Sequence, residues 1–142
     1  MTQSNYSTTP VGCTLAVQVY GPYNPEITVY GTNANGFTGY SNPGCYVYEN
    51  QIQVWYQIFP TPAVQMNITT CNSPTDFDTV ITVYEGNECS NLLCSQRSDD
   101  KCTAYNVDAS TVQFVPTATS YFVAIGGANA NVKGTFAVSF SQ

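Results

Sequence analysis

The chain lacks histidine altogether, and its 142 residues include only three Lys and Arg against nine Asp and Glu. Without histidine it has neither the commonest general base nor the commonest metal ligand, so most familiar hydrolase mechanisms are excluded. Three basic residues are too few to neutralise a run of phosphates or to hold an anionic membrane surface. We therefore expect a non-enzyme with no nucleic-acid partner, whose partners are extracellular protein, glycan or copies of itself.

Long apolar runs are also missing. No stretch approaches the roughly 20 residues that cross a bilayer, so we expect no membrane insertion. The N-terminus, Met1-Thr2-Gln3-Ser4-Asn5, has neither the basic nor the apolar region of a signal peptide. We expect a mature extracellular or cell-surface protein, or an excised module of one. Residues 1–12 are predicted to form a polar leader, and residues 13–142 a single domain.

Leucine is scarce, with three residues against fifteen valines, eighteen threonines and eleven tyrosines. β-Branched and aromatic side chains suit a pleated, half-buried surface, and turn signals such as Gly21-Pro22 separate the apolar segments. This pattern predicts an all-β fold, an antiparallel, jelly-roll-like β-sandwich of about eight strands. The candidate strands are Thr14 to Tyr20, Glu26 to Gly31, Tyr46 to Phe59, Val64 to Thr70, Thr79 to Tyr84, Thr111 to Val115, Tyr121 to Gly126 and Thr135 to Phe140.

The apolar residues that alternate along these strands are expected to fill one core between the two sheets. The sequence shows no internal repeat and suggests no second core. The predicted core residues are Trp55, Phe59, Met66, Ile68, Ile81, Val83, Phe114, Phe122, Phe136, Val138 and Phe140.

Six cysteines in a small chain without histidine are typical of a disulfide framework in a secreted protein. A zinc site is disfavoured, because the cysteines show no paired two-residue spacing. The residues alone leave the pairing open, since six cysteines allow many connectivities. They are Cys13, Cys45, Cys71, Cys89, Cys94 and Cys102.

An ordered set of short motifs resembles one family. Val54-Trp55-Tyr56 opens a strand, Asp76-Phe77-Asp78-Thr79 leads into Val83-Tyr84-Glu85-Gly86, and Ser120-Tyr121-Phe122-Val123 lies near the end. With the cysteines between them, these motifs resemble the pre-peptidase C-terminal (PPC-like) domain, an accessory β-sandwich of secreted peptidases and surface proteins. The resemblance implies a non-catalytic module for secretion, substrate contact or attachment. It also implies the disulfides Cys89–Cys94, Cys71–Cys102 and Cys13–Cys45.

Two close carboxylate pairs lie between the third and sixth cysteines, namely Asp76, Asp78, Asp99 and Asp100. Converging carboxylates suit calcium, which takes roughly six to eight oxygen ligands. In the alternative interpretation, Asp78 caps a turn before the strand, and Asp99 and Asp100 are solvated loop charges. Together with Glu49 and Glu85, these carboxylates are the only residues that could supply the acid/base pair of a glycosidase. We expect no cofactor other than this calcium ion.

The sequence contains two sequons, at Asn5 and Asn67, and both are candidate N-glycosylation sites. Asn67 follows an alternating pattern that places it on the solvent face of a strand. Tyrosines crowd the first third of the chain, and one interpretation is that they are ordinary outward strand residues. The other interpretation is that they form a binding surface. For such a surface, a protein interface is favoured over glycan stacking, because low charge reduces the desolvation cost between identical subunits. The candidate interface residues are Tyr6, Tyr20, Tyr23, Tyr30 and Tyr40.

These features favour a non-catalytic structural or adhesion protein that assembles into a surface filament or layer. In this hypothesis the polar leader adds a strand to the open sheet edge of a neighbouring subunit. The alternative is an accessory module that binds a substrate or glycan for a secreted enzyme.

Overall fold

The computed structural model describes residues 11–38, 45, 52–99, 102, 108–128 and 131–142. Within them the chain is an all-β sandwich of two sheets, as predicted, with one four-residue helix, α1 (Val11–Thr14). Among these residues, no helix is both long enough and apolar enough to span a bilayer. The strands are β1 (Val17–Val19), β2 (Ile27–Thr32), β3 (Phe37–Thr38), β4 (Ile52–Ile58), β5 (Met66–Thr69), β6 (Thr79–Glu85), β7 (Leu93–Asp99), β8 (Thr111–Phe114), β9 (Tyr121–Gly127) and β10 (Thr135–Ser141).

The two sheets have different strand orders. Sheet A runs β1-β4-β9-β6-β7, with β3 also pairing with β4, and sheet B runs β2-β10-β5-β8. β1 joins β4 in parallel, whereas the other described pairings are antiparallel. Consecutive strands therefore often lie in opposite sheets, as expected of a sandwich with Greek-key connections.

Two described strands were not predicted, the two-residue β3 and the edge strand β7. β7 reads Leu-Cys-Ser-Gln-Arg-Ser-Asp and shows no alternation of apolar and polar residues, so its sequence carries no strand signal. It is a strand because β6 pairs with it along its length. The predicted strand β6 and the unpredicted β7 thus form the β6–β7 hairpin.

The main core lies between the sheets and contains most of the predicted core residues. Tyr56 and Ile58 point inward from sheet A, and Phe136, Val138 and Phe140 point inward from sheet B. Tyr56 meets Phe136 and Phe140 edge to face, at centroid distances of 6.4 and 6.2 Å. Each fully buried side chain of this size contributes roughly 1.5–3 kcal/mol to folding, so this interior is the main source of stability.

A second core on the outer face of sheet A contradicts the prediction of a single core. Trp55 and Phe122 lie in this cluster and not between the sheets, because each alternates with residues that point inward. Trp55 stacks on Tyr84 with ring centroids 5.5 Å apart. The prediction that Phe59 is a core residue is also wrong, because its side chain is only half-buried. The complete cluster comprises Cys13, Cys45, Trp55, Tyr84, Leu92, Phe122 and Ala124.

The structure pairs Cys13 with Cys89, Cys45 with Cys94 and Cys71 with Cys102. The three disulfides and the Cys71–Cys102 pair are confirmed, whereas the other two implied pairs are wrong. Cys94 lies opposite Tyr84 in the β6–β7 pair, so its side chain shares the outward direction of Tyr84 and meets Cys45 there. Both corrected disulfides therefore join the first third of the chain to the β6–β7 hairpin.

Candidate functional site

Three of the five candidate interface tyrosines lie in the described residues, and they differ sharply in exposure. Tyr20 and Tyr30 are 62% and 72% exposed, whereas Tyr23 is 3% exposed. The prediction for Tyr23 is therefore corrected: it is a core residue and offers little surface to a partner. Tyr6 and Tyr40 lie outside the described residues.

Tyr20 is exposed yet held in place. It follows β1, whose last residue Val19 pairs with Ile58 of β4, so Tyr20 lies beside Phe59 as the two chains continue. The rings of Tyr20 and Phe59 stack with centroids 5.1 Å apart and planes 8° from parallel. The Tyr20 hydroxyl donates a hydrogen bond to Oε1 of Gln18, which lies on the same side of the strand. The Tyr20 side chain is thus held in place by the stacking of its ring and by the hydrogen bond of its hydroxyl.

These two rings form one wall of an open groove of about 520 Å³, which we call the aromatic groove. Val64 also lines the groove and is 44% exposed, so the groove offers further apolar surface. No charged side chain of the described residues lines it. The lining residues are Tyr20, Gly21, Pro22, Tyr23, Asn24, Phe59, Thr61, Val64 and Gln142.

Several residues that line the aromatic groove are held by hydrogen bonds. The Tyr23 hydroxyl donates to the Val19 carbonyl at 2.6 Å and accepts from the Phe59 amide at 2.9 Å. Burial raises the pKa of Tyr23, and the Phe59 hydrogen bond opposes that shift. Gln142 donates to the carbonyls of Thr61 and Val64 and accepts from the Thr61 amide, each at 2.9 Å. The groove is therefore largely preformed.

A row of neutral polar side chains extends from the aromatic groove across sheet A. Nε2 of Gln18 donates to Oε1 of Gln57 at 3.1 Å, and Nε2 of Gln57 donates to the Ser120 hydroxyl at 3.1 Å. Each amide keeps a second N–H for other acceptors. Gln18 and Tyr20 are two residues apart, and this spacing predicts that they lie on the same side of a strand. No sequence pattern indicates that Gln142 lines the aromatic groove.

The predicted calcium ligands do not form one cluster in the described residues. Asp76 turns toward β10, where its carboxylate accepts from the Thr135 amide at 2.9 Å and the Thr135 hydroxyl at 3.2 Å. Asp78 precedes β6 and Asp99 ends the neighbouring β7, so these two lie at the same end of the hairpin. Asp100 lies outside the described residues, among which no group of three His, Cys, Asp or Glu is placed to hold a metal. The calcium site stays a prediction.

The other candidate residues are widely separated. Glu85 ends β6 and its carboxylate accepts from the Thr117 hydroxyl at 2.9 Å, while Glu49 lies outside the described residues. Asn67 lies half-exposed in β5, and Asn5 lies outside the described residues. Glycosylation of both asparagines therefore stays a prediction.

Comparison with known proteins supports the fold. No family model and no curated protein matches the chain. Among solved structures, the pre-peptidase C-terminal domain of collagenase from Bacillus anthracis matches with a TM-score of 0.52, covering 89% of this chain and 92% of that one at 10% sequence identity. The chain has the fold of a pre-peptidase C-terminal domain. The resemblance indicated by the sequence motifs is thus confirmed at the level of fold.

Proposed function

We propose that the chain is a non-catalytic extracellular accessory module that binds a neutral polysaccharide in the aromatic groove. The observation that carries this proposal is the exposed Tyr20 ring, which is held against Phe59 and Gln18 beside a preformed, uncharged groove. A fixed aromatic ring offers a large contact area and loses little conformational entropy on binding.

The size and chemistry of the groove favour a sugar chain over a protein partner. Its volume of about 520 Å³ falls in the range of small-ligand sites, roughly 300–1,000 Å³. A stable protein interface needs roughly 800 Å² from each partner, which a groove with nine lining residues does not offer. The amides of Asn24 and Gln18 are suited to sugar hydroxyls, and the Tyr20 ring to the apolar face of a sugar.

The fold and the disulfides support an accessory role outside the cell. The matching structure is a C-terminal domain of a collagenase, which favours a module attached to a secreted enzyme over a filament subunit. Three disulfides are stable in an oxidising compartment such as the extracellular space. Self-assembly through the leader stays a prediction, because residues 1–10 lie outside the described residues.

Sedimentation with insoluble polymers tests the proposal. The oxidised protein is mixed with cellulose, chitin and xylan, and with insoluble collagen as a protein polymer. We expect binding to at least one polysaccharide, and we expect Tyr20→Ala to weaken it by about tenfold or more, as for an aromatic binding hot spot. Tyr30→Ala is the matched control, because Tyr30 is equally exposed but lies in sheet B.

Three outcomes would contradict the proposal. Absence of binding to every polysaccharide excludes the function. Binding to collagen alone assigns a protein ligand instead of a glycan. Equal losses for Tyr20→Ala and Tyr30→Ala exclude the aromatic groove as the site.

A further inference from the structure

The strands of sheet B place no charged side chain on their outer face, although the chain carries a net charge of −6. Their inward positions are occupied by core residues such as Ile68 and Val138, so the intervening side chains point outward. Of these outward side chains, Ala137 and Ser139 are buried beside Asn72, and the others are half-exposed or exposed. Those outward residues are Thr28, Tyr30 and Thr32 of β2, Thr135, Ala137, Ser139 and Ser141 of β10, Asn67 and Thr69 of β5, and Thr111 and Gln113 of β8.

Strand register aligns these groups in rows across the sheet. Ser139 is paired with both Thr28 and Thr69, and Thr69 is paired with Thr111, so hydroxyls from all four strands form one row. The Thr28 and Ser139 hydroxyls are 2.8 Å apart and hydrogen-bonded. The adjacent row places Asn67 between two other neutral polar residues, Ser141 and Gln113.

Asn67 is the only one of these outward residues that begins a sequon, Asn67-Ile68-Thr69. Its Oδ1 accepts a hydrogen bond from Nε2 of Gln65 at 3.1 Å. Its Nδ2, the atom that an N-linked glycan modifies, has no hydrogen-bond partner in the part of the chain that the structure describes. The side chain is half-exposed, so Nδ2 is available without rearrangement of the sheet.

We propose that Asn67 carries an N-linked glycan whose first sugars cover the centre of the outer face of sheet B. The donor is an oligosaccharide linked through pyrophosphate to a lipid. Nδ2 forms a bond to C1 of the first sugar as the bond from C1 to the pyrophosphate oxygen breaks. The lipid pyrophosphate leaves with that electron pair, and Nδ2 gives up one proton to a base of the transferase.

The surroundings of Asn67 suit this occupant. A sugar needs hydrogen-bond donors and acceptors, which Ser141 and Gln113 supply on either side. A bulky, hydrated glycan also suits the polar side chains on either side of Asn67. On the outer face of sheet A, by contrast, Trp55, Tyr84 and Phe122 are packed in the second core.

Mass spectrometry of protein secreted from a eukaryotic host tests the modification. The host is first shown to glycosylate a reference protein. We expect an N-glycosidase to remove a glycan and convert Asn67 to Asp in the corresponding peptide. Asn67→Gln should abolish this signal, whereas Thr69→Ser, which keeps both the sequon and the hydroxyl that accepts from the Cys71 amide, should retain it. An unmodified Asn67 in folded secreted protein would overturn the proposal.

Nuclear Overhauser contacts test where the sugars lie. We expect the N-acetyl methyl group of the first sugar to contact Gln113 or Ser141. A glycan that is attached but makes no contact with either residue would overturn the covering of this face. Neither measurement depends on ligand binding in the aromatic groove, so both outcomes are independent of the proposed function.

Discussion

The two sheets show the same alternation of inward and outward residues, but the outward residues of the two sheets differ in how exposed they are. On sheet A the outward residues Val80, Tyr84 and Phe122 are at most 4% exposed, whereas Tyr30 on sheet B is 72% exposed. One disulfide joins Cys13 of α1, and another joins Cys45, to the β6–β7 hairpin, and both cysteines belong to the apolar cluster on the outer face of sheet A. On the outer face of sheet B, Ala137 and Ser139 are buried beside Asn72, whereas the other outward residues of the strands are half-exposed or exposed.

This difference shows how a small sandwich gains a second core. A half-buried sheet normally needs polar residues on its outer face. Here Trp55, Tyr84 and Phe122 occupy outward positions, and the disulfide-bonded Cys13 and Cys45 pack with them and shield them from water. This apolar outer face is therefore stable only while the disulfides hold those two residues in place.

Truncation of an aromatic residue on each face should produce the largest contrast. Trp55→Ala removes a fully packed indole, so we expect the free energy of unfolding to fall by about 3–5 kcal/mol. Tyr30→Ala removes an exposed ring, and we expect a change within about 0.5 kcal/mol. Urea unfolding followed by circular dichroism measures both values. Similar values for the two variants would show that the faces do not differ in packing.

Removal of the Cys13–Cys89 disulfide should uncover the outer face of sheet A. For cysteines separated by 76 positions in the sequence, we expect the double variant Cys13→Ala, Cys89→Ala to lose about 2–5 kcal/mol. Trp55 is the only tryptophan of the chain, so its fluorescence reports on this face directly. We expect a red-shifted emission before global unfolding.

The double variant Cys71→Ala, Cys102→Ala is the control for this measurement, because that disulfide lies outside the second core. It should be destabilised without the early red shift. An early red shift in both variants would mean that the Cys13–Cys89 disulfide has no particular role in covering Trp55.

Replacement of one threonine on each face should have the smallest effects and opposite signs. Thr82 is fully buried, and its hydroxyl has no hydrogen-bond partner within the described residues. Thr82→Val keeps the shape and removes that polar group, so we expect a gain of about 1 kcal/mol. Thr28→Val breaks the hydrogen bond to Ser139, so we expect a loss of about 0.5–1.5 kcal/mol. Thermal unfolding of both variants measures the two signs, and a destabilised Thr82→Val would contradict this assignment.

Much of the sandwich is predictable from the sequence because its cause is local. β5, β8 and β10 alternate apolar and polar residues, and this period of two specifies both the strand and the side that faces the core. The same alternation places Asn67 on the solvent face. The motif order around Trp55 and Asp78 also indicates the fold that the structural comparison supports.

The aromatic groove is less predictable, because its walls come from distant parts of the chain. Tyrosine enrichment singles out Tyr20, but Tyr23 belongs to the same group and is buried. The two differ because the Tyr23 hydroxyl finds partners in Val19 and Phe59, a contact that composition does not reveal. Gln142 reaches the groove only through the position of β10 beside β5.

The sequence by itself determined the strand-forming segments, the direction of alternating side chains and the presence of a disulfide framework. Tertiary structure decided the strand status of β7, the sheet face that Trp55 and Phe122 occupy, and two of the three disulfide pairings. The physical reason is the range of the interactions. Alternation along a strand depends on residues that are close in sequence. Edge pairing and the covering of a sheet face depend on residues that are far apart in sequence and are brought together by folding.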